Sequence, residues 1–176
     1  MKHRLTPQIR FLLLFGAIAA VLFGAYCFPY KERGMSEGLF HTYLSGYAHF
    51  VGMLLSWIDP SIRVTENVLS GRFSMAIIKT CDAMEVNILL VSATAAFPAP
   101  WRRKAIVLPV ALVLLVLTNV FRLVALYLIG IYMPSAFEVM HFEVFPLVMV
   151  AAAALLFVGS IRVMAPPTLN VESNAT

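Results

Sequence analysis

Four apolar runs in this chain are each long enough to cross a lipid bilayer, and that leaves few folds open to it. About 20 apolar residues span the hydrocarbon layer as helix. The runs extend from Ile9 to Phe28, Ala83 to Ala99, Ala105 to Ile129 and Phe142 to Val163. Of 176 residues, 61% are hydrophobic and 12% charged, against about 25% charged in a soluble domain. The chain therefore reads as one integral-membrane domain over residues 1–176. Its net charge of +4 does not indicate nucleic acid. Most basic residues instead sit in short clusters beside apolar runs: Lys2, Arg4 and Arg10, then Arg102, Arg103 and Lys104, then Arg162. That is how topology-setting charges are distributed.

The first run follows a basic flank, as a secretory signal does. No A-x-A-like cleavage site follows it, so it reads as a retained signal anchor. The loop from Gly130 to Met140 carries no Lys or Arg. Positive-inside counting then puts the N-terminus, the Arg102–Lys104 loop and the C-terminus in the cytoplasm. Residues 30 to 81 and 130 to 141 face outward, from a cell inner (plasma) membrane.

A fifth stretch, Leu39 to Ile58, would invert this order if it crossed. His41, Ser45 and His49 recur every four residues and share one helix face, while Leu44, Val51, Leu54, Leu55 and Ile58 cover the other side. With Tyr43, Tyr47 and Trp57, that pattern suits an interfacial or re-entrant helix. The competing reading is a true fifth span with inverted charge bias. After Asp59-Pro60, β-branched and apolar residues flank the turn dipeptide Ser70-Gly71. A short β-hairpin of Arg63–Leu69 and Arg72–Ile78 is expected within residues 62–79. It serves either as a cover for the bundle or as an edge for an extended peptide. The fold class is thus all-α integral membrane, with four to five transmembrane helices, one interfacial or re-entrant helix and an extracytoplasmic hairpin.

The candidate chemistry comes from residues that hydrocarbon should reject. Cys81, Arg122 and His141 lie near the ends of different apolar runs, and the topology brings all three to the outer face. An arginine one to two turns deep costs at least about 2 kcal/mol on insertion scales, so it needs partners and marks a polar cavity. Asn119, one turn before Arg122, shares its face. Glu85, four residues after Cys81, is expected to pair with Arg122, and Asp82 adjoins the thiol. Each residue alone has an ordinary structural explanation: a packed thiol, a structural clamp, a solvated imidazole. Their convergence from three helices favours chemistry. A thiol attacks as thiolate, which a neighbouring imidazole or guanidinium promotes. His141 can take that proton and later protonate a leaving amine. Arg122 is a poor base but suits a tetrahedral oxyanion where water is scarce. The reaction class is peptide cleavage through a thioacyl-enzyme, followed by transfer to water or an amine.

Several segments carry a resemblance. Thr80-Cys81-Asp82-Ala83-Met84-Glu85 heads one run, and Phe97-Pro98-Ala99-Pro100-Trp101-Arg102-Arg103 joins the next. Asn119-Val120-Phe121-Arg122 and the histidine opening the last run follow. Over about residues 50 to 160 this resembles the exosortase/archaeosortase family, and most of all its compact exosortase H-like branch. The resemblance implies a membrane cysteine transpeptidase acting on exported proteins with a C-terminal tail of short motif, transmembrane helix and basic end. It also implies Cys81 as nucleophile, Arg122 as oxyanion or substrate-orienting cation, and His141 as base, without a cofactor. One residue departs from the pattern: the family commonly has Gly two residues after the cysteine, where this chain has Ala83. Cys27 is expected on the same outer side, packed and free, though a disulfide with Cys81 is open in an oxidising periplasm.

Two other function classes fit parts of the chain. A small transporter or ion relay would use Glu85, Arg122 and His141, but the inverted repeats of carriers are missing. A metal site would draw on Cys81, Asp82, His141 and Glu143, with His41 or His49; no histidine pair has a helical zinc spacing within that set. The sorting motif, the acceptor and the oligomeric state are not encoded in any motif of the sequence.

Overall fold

Helix α1, Pro7–Cys27, is apolar along its length yet has no buried residue. A helix that is apolar on all sides and packs so little of itself belongs in lipid. The structure, a computed structural model, describes residues 6–27 and 37–165. Lys2, Arg4 and Phe28 lie outside the described residues. Among the described residues three helical segments are long and apolar enough to cross a bilayer: Pro7–Cys27, Trp101–Tyr132 and Pro134–Met164. The expected span at 83–99 is shorter than anticipated. Its helix α3, Met84–Ala96, has 13 residues and rises about 20 Å, less than a bilayer core of about 30 Å. Pro98 and Pro100 stop it early by forcing their predecessors out of helical conformation, and α4, Trp101–Tyr132, starts directly after Pro100.

The last segment is built from a 3₁₀ turn at Pro134–Ala136, a single helical turn α5 (Phe137–Val139), a π-turn at Met140–Val144 and helix α6 (Phe145–Met164). Hydrogen bonds fix how the helices run. Lys104 Nζ donates to the carbonyl of Ala95 at 2.6 Å, and Arg103 Nη1 donates to those of Met164 and Ala165, each at 3.0 Å. The start of α4 and the ends of α3 and α6 thus share one end of the bundle. Cations at helix C-termini satisfy carbonyls that lack an intrahelical partner. The C-terminal end of α1 sits at the opposite end, where Tyr26 donates its hydroxyl to the Lys79 carbonyl at 3.2 Å. Helices α1 and α4 therefore run one way, α3 and α6 the other.

Helix α2, Glu37–Leu55, meets the next segment near both of its ends. His41 Nε2 lies 3.4 Å from Glu66, and Gly52 is so close to Val64 that an added Cβ would stand 2.3 Å from its Cγ2. Both ends of α2 accordingly sit at the same end of the bundle, and α2 is not among the three helices long and apolar enough to cross. Its buried face, Ala48, Val51 and Leu55, packs with Leu69, Val120, Leu123 and Tyr127.

The expected two-stranded hairpin is instead a three-stranded antiparallel meander. Strand β1 (Arg63–Thr65) pairs with β2 (Val68–Ser70), and β2 with β3 (Ser74–Ala76). The missed turn is Glu66-Asn67, where Glu66 takes the left-handed conformation at φ 56°. Asn67 makes that turn worthwhile: its amide donates to the Ile77 carbonyl at 2.9 Å, and its own carbonyl accepts from Ile77 N–H at 2.8 Å. Ser70-Gly71 does bend the chain, between β2 and β3.

Asp59 fastens this meander to α4. Its carboxylate accepts from Tyr127 hydroxyl at 2.6 Å, Arg72 N–H at 3.0 Å, Ser61 N–H at 3.0 Å and Ser61 hydroxyl at 2.6 Å. Those donors hold its carboxyl well below the usual carboxylate range, the Ser61 hydroxyl contributing most. Beside it, Gly130 of α4 lies against the Phe73 ring, where a Cβ would come within 2.6 Å.

Candidate active site

Between β3 and α3 the chain reverses sharply, and Cys81 sits in the reversal. A 3₁₀ turn, Lys79–Cys81, begins it, closed by Cys81 N–H donating to the Ile78 carbonyl at 2.7 Å. Asp82 is buried, and its carboxylate accepts from Met84 N–H at 2.8 Å, capping the start of α3. Burial pushes the Asp82 carboxyl up, against the lowering effect of that N–H and of Tyr26 hydroxyl. Ala83 then takes φ 55°, ψ 21°, a left-handed conformation that favours glycine. The position where the exosortase pattern has Gly is thus one whose backbone asks for it. The added methyl of Ala83 therefore costs backbone strain.

Arg122 projects from α4 toward this reversal and is 5% exposed. Asn119, one turn earlier and fully buried, accepts from Arg122 Nη1 at 3.4 Å. The Asn119 amide donates to the Cys81 carbonyl at 2.8 Å and to Tyr47 hydroxyl at 2.9 Å. One side chain therefore ties the thiol-bearing turn, α2 and the arginine together. Arg122 Nε is buried with no hydrogen-bond partner. Leaving a buried charged donor unpaired is costly.

Arg122 is one of the residues lining a cavity of about 260 Å³. Arg122 and His141 line its polar interior; Ala83, Val86, Phe142, Pro146 and Met149 are among its apolar walls, and Lys79, Asp82 and Glu85 complete its polar lining. His141 Nδ1 is likewise buried and unpartnered, with its ring stacked on Phe137 at 5.7 Å and edge-on to Phe142 at 4.6 Å. Arg122 lies close enough to act electrostatically on both Cys81 and His141. Cys81 itself is buried behind the cavity rather than among the residues lining it. No hydrogen bond joins Cys81 to His141 among the described residues.

The π-turn explains how His141 reaches the cavity. A helix turns 100° per residue. Counted back from α6 in regular helix, Phe142, Met149 and Val150 fall within about 60° of Pro146, but residue 141 falls about 140° away. The π-turn adds one residue to the turn. His141 then takes the angular place of residue 142, about 40° from Pro146. Pro146 has no N–H to give the Phe142 carbonyl, and the helix closes from Phe145 N–H to the Met140 carbonyl instead.

The structure thus links Arg122, Asn119 and the Cys81 carbonyl by hydrogen bonds, and Arg122, Asp82 and His141 line one cavity. The expected Glu85–Arg122 ion pair is not formed: Glu85 is exposed and lines the cavity with Arg122, without an ion pair among the described residues. Arg122 is held by Asn119 instead, and Glu85 stays exposed where it lines the cavity. Cys27 is exposed rather than packed, and both cysteines are free. Among the described residues no three His, Cys, Asp or Glu side chains come together as a metal site. Sequence reasoning missed Tyr47, treated there only as an interfacial aromatic. The signal was available, because a buried Asn in an apolar run must find a donor and an acceptor.

A helical membrane protein with a buried Cys–Asn–Arg cluster facing a histidine across one cavity is what these elements define. Residues 8–158 match the transmembrane exosortase family, and the chain belongs to that family. No curated protein and no solved structure matches it.

Proposed function

We propose that this protein cleaves the C-terminal sorting tails of exported proteins as a membrane-embedded cysteine peptidase or transpeptidase. The observation that carries the proposal is Arg122, a buried guanidinium with an unpartnered Nε, opening on the cavity that His141 shares. In this reading Cys81 Sγ attacks the scissile carbonyl carbon after its proton passes to His141. Arg122 Nε donates to the resulting oxyanion, in a pocket poor in water. Collapse breaks the C–N bond, and His141 returns the proton to the departing amine. Water or an acceptor amine then attacks the thioester, giving back the thiol.

Cys81 and His141 share no hydrogen bond among the described residues, and catalytic hydrogen bonds often tighten only in the complex with substrate. The wall of Val86, Phe142 and Met149 suits an extended peptide entering beside a lipid-embedded helix. The site end of the bundle faces the periplasm and the Arg102–Lys104 end the cytoplasm, by the charge bias of the loops.

The test is co-expression with an exported protein bearing a motif-helix-basic tail, followed by its size on gels. Cys81→Ala is expected to insert and accumulate normally, because one small buried residue replaces another, and to stop processing. Processing at wild-type level in Cys81→Ala would end the covalent mechanism. An ion relay through Glu85, Arg122 and His141 would survive the loss of the thiol, so the same variant separates the two classes.

A further inference from the structure

A second cavity, of about 380 Å³, lies at the opposite end of the bundle between α1 and the α3–α4 turn. Pro7, Phe11 and Leu14 of α1 and Phe97 and Pro98 of the turn give it apolar walls, and Arg10 and Lys104 are its charged residues. Phe97 stands edge-on to Phe157 at 6.4 Å, and Phe11 stacks on the same ring at 6.4 Å. That gives the cavity a fixed aromatic side. We propose that this cavity holds the headgroup phosphate of an anionic phospholipid, with the acyl chains running down the apolar walls between α1 and α3.

Charge balance is the main argument. Lys104 is 9% exposed and its one partner among the described residues is the Ala95 carbonyl. The C-terminus of α3 offsets part of that charge, but an ammonium with three donors, buried without a carboxylate, stays expensive unless an anion joins it. Among the described residues the protein supplies none here. No Asp or Glu occurs in residues 7–27, between Glu85 and Glu138, or between Glu143 and Glu172. The neighbouring Arg103 is already committed to the Met164 and Ala165 carbonyls, which leaves Arg10 and Lys104 for a ligand. A phosphodiester meets both with its two non-ester oxygens. A soluble anion would satisfy the charges but leave the apolar walls against water.

Basic pockets between membrane helices bind anionic headgroups by this combination. It also explains why Lys104 is retracted into the bundle, where a topology-setting lysine would extend into water.

The test uses the full-length protein in detergent micelles titrated with phosphatidylglycerol or phosphatidylcholine, read by native mass spectrometry. Each basic residue near an anionic headgroup contributes roughly fivefold, so the expected preference for phosphatidylglycerol from two is about 25-fold. Arg10→Gln, an exposed position with no structural bond from its guanidinium, should lower that preference about fivefold. Lys104→Met, which keeps the aliphatic stem, should lower it by as much or more. If Lys104→Met fails to fold, Arg10→Gln alone still decides. Equal retention of the two lipids by the wild type would overturn the proposal. So would an undiminished preference in Arg10→Gln. Competition by glycerol phosphate at equal concentration would show a site for free phosphate rather than lipid, and would overturn it too. None of these outcomes depends on whether Cys81 is catalytic.

Discussion

Pro146→Ala should produce a protein that is no less stable than wild type but has lost most of its activity. Alanine restores an N–H at position 146, so the Phe142 carbonyl can accept a regular i to i−4 bond and the π-turn at Met140–Val144 can close to α-helix. One hydrogen bond regained is worth about 1 kcal/mol, and Ala is the better helix former, so unfolding should shift upward or not at all. The cost falls on His141. Losing the extra residue rotates it by about 100°. An imidazole about 6 Å from the helix axis then moves about 9 Å, out of the cavity it shares with Arg122. Removal of a positioned general base lowers rate by about 10²- to 10⁴-fold. The assay is processing of a tail-bearing substrate alongside thermal unfolding in the same detergent, with Pro146→Gly as a control that also restores the N–H but favours helix less. The rate against pH adds a check, because residual activity should lose the limb that His141 supplies. Wild-type processing in Pro146→Ala, with His141→Ala inactive, would show that the π-turn does not position the histidine.

Three further outcomes follow from the geometry. Arg122→Lys should lose processing as fully as a neutral substitution. A point ammonium cannot donate to Asn119 and keep a second donor in the Nε direction, and activity within a few-fold of wild type would reduce Arg122 to a simple charge. Ala83→Gly should stabilise the protein by about 0.5 to 1 kcal/mol, since relief of a left-handed non-glycine residue gives about 1–2 kcal/mol and glycine entropy takes back about 0.5–1; a lower unfolding temperature would mean that φ 55° is not held in the protein. The meander should loosen in acid. Asp59 has its folded-state carboxyl held below the ordinary 3.8, so its contribution is present above that pH and is lost as pH falls through the folded value. Amide exchange over residues 61–77 should therefore quicken below about pH 4, and Asp59→Asn should exchange faster at neutral pH and lack that acid dependence.

Much of the architecture was legible because membrane constraints are coarse. Runs of apolar residues and clusters of basic ones are enough to place α1, α4 and the last helix, and to order their ends. The 83–99 run was read too long because hydropathy does not see that Pro98 stops the helix at Ala96 by restricting the residue before it. The meander was miscounted for a different reason. Turn signals were sought in Gly and Ser, while the first turn relies on Glu66 in a strained conformation that Asn67 offsets through two hydrogen bonds. At the site, residue types and depth named Cys81, Arg122, His141 and Asn119. They offered both Asn119 and Glu85 as partners of Arg122, and the structure keeps the first and not the second. That choice depends on which way α3 leaves the left-handed turn at Ala83, a single backbone torsion with no sequence period.

The meander and α2 do more than cover the bundle, and Asn119 shows why. The Cys81 carbonyl can only accept, so the amide nitrogen of Asn119 must face it, and the amide oxygen is thereby turned to Arg122. A terminal amide can rotate, however, and the second acceptor that pins its nitrogen is Tyr47 hydroxyl, which belongs to α2. Helix α2 is in turn held against α4 by the strands, through Gly52 on Val64 and through Asp59 on Tyr127. Remove that fastening and the Tyr47 hydroxyl drifts, the amide gains a second orientation, and Arg122 loses the acceptor that fixes its Nη1. The aim of the guanidinium is therefore set by a chain of contacts that begins at Asp59, outside the apolar runs altogether.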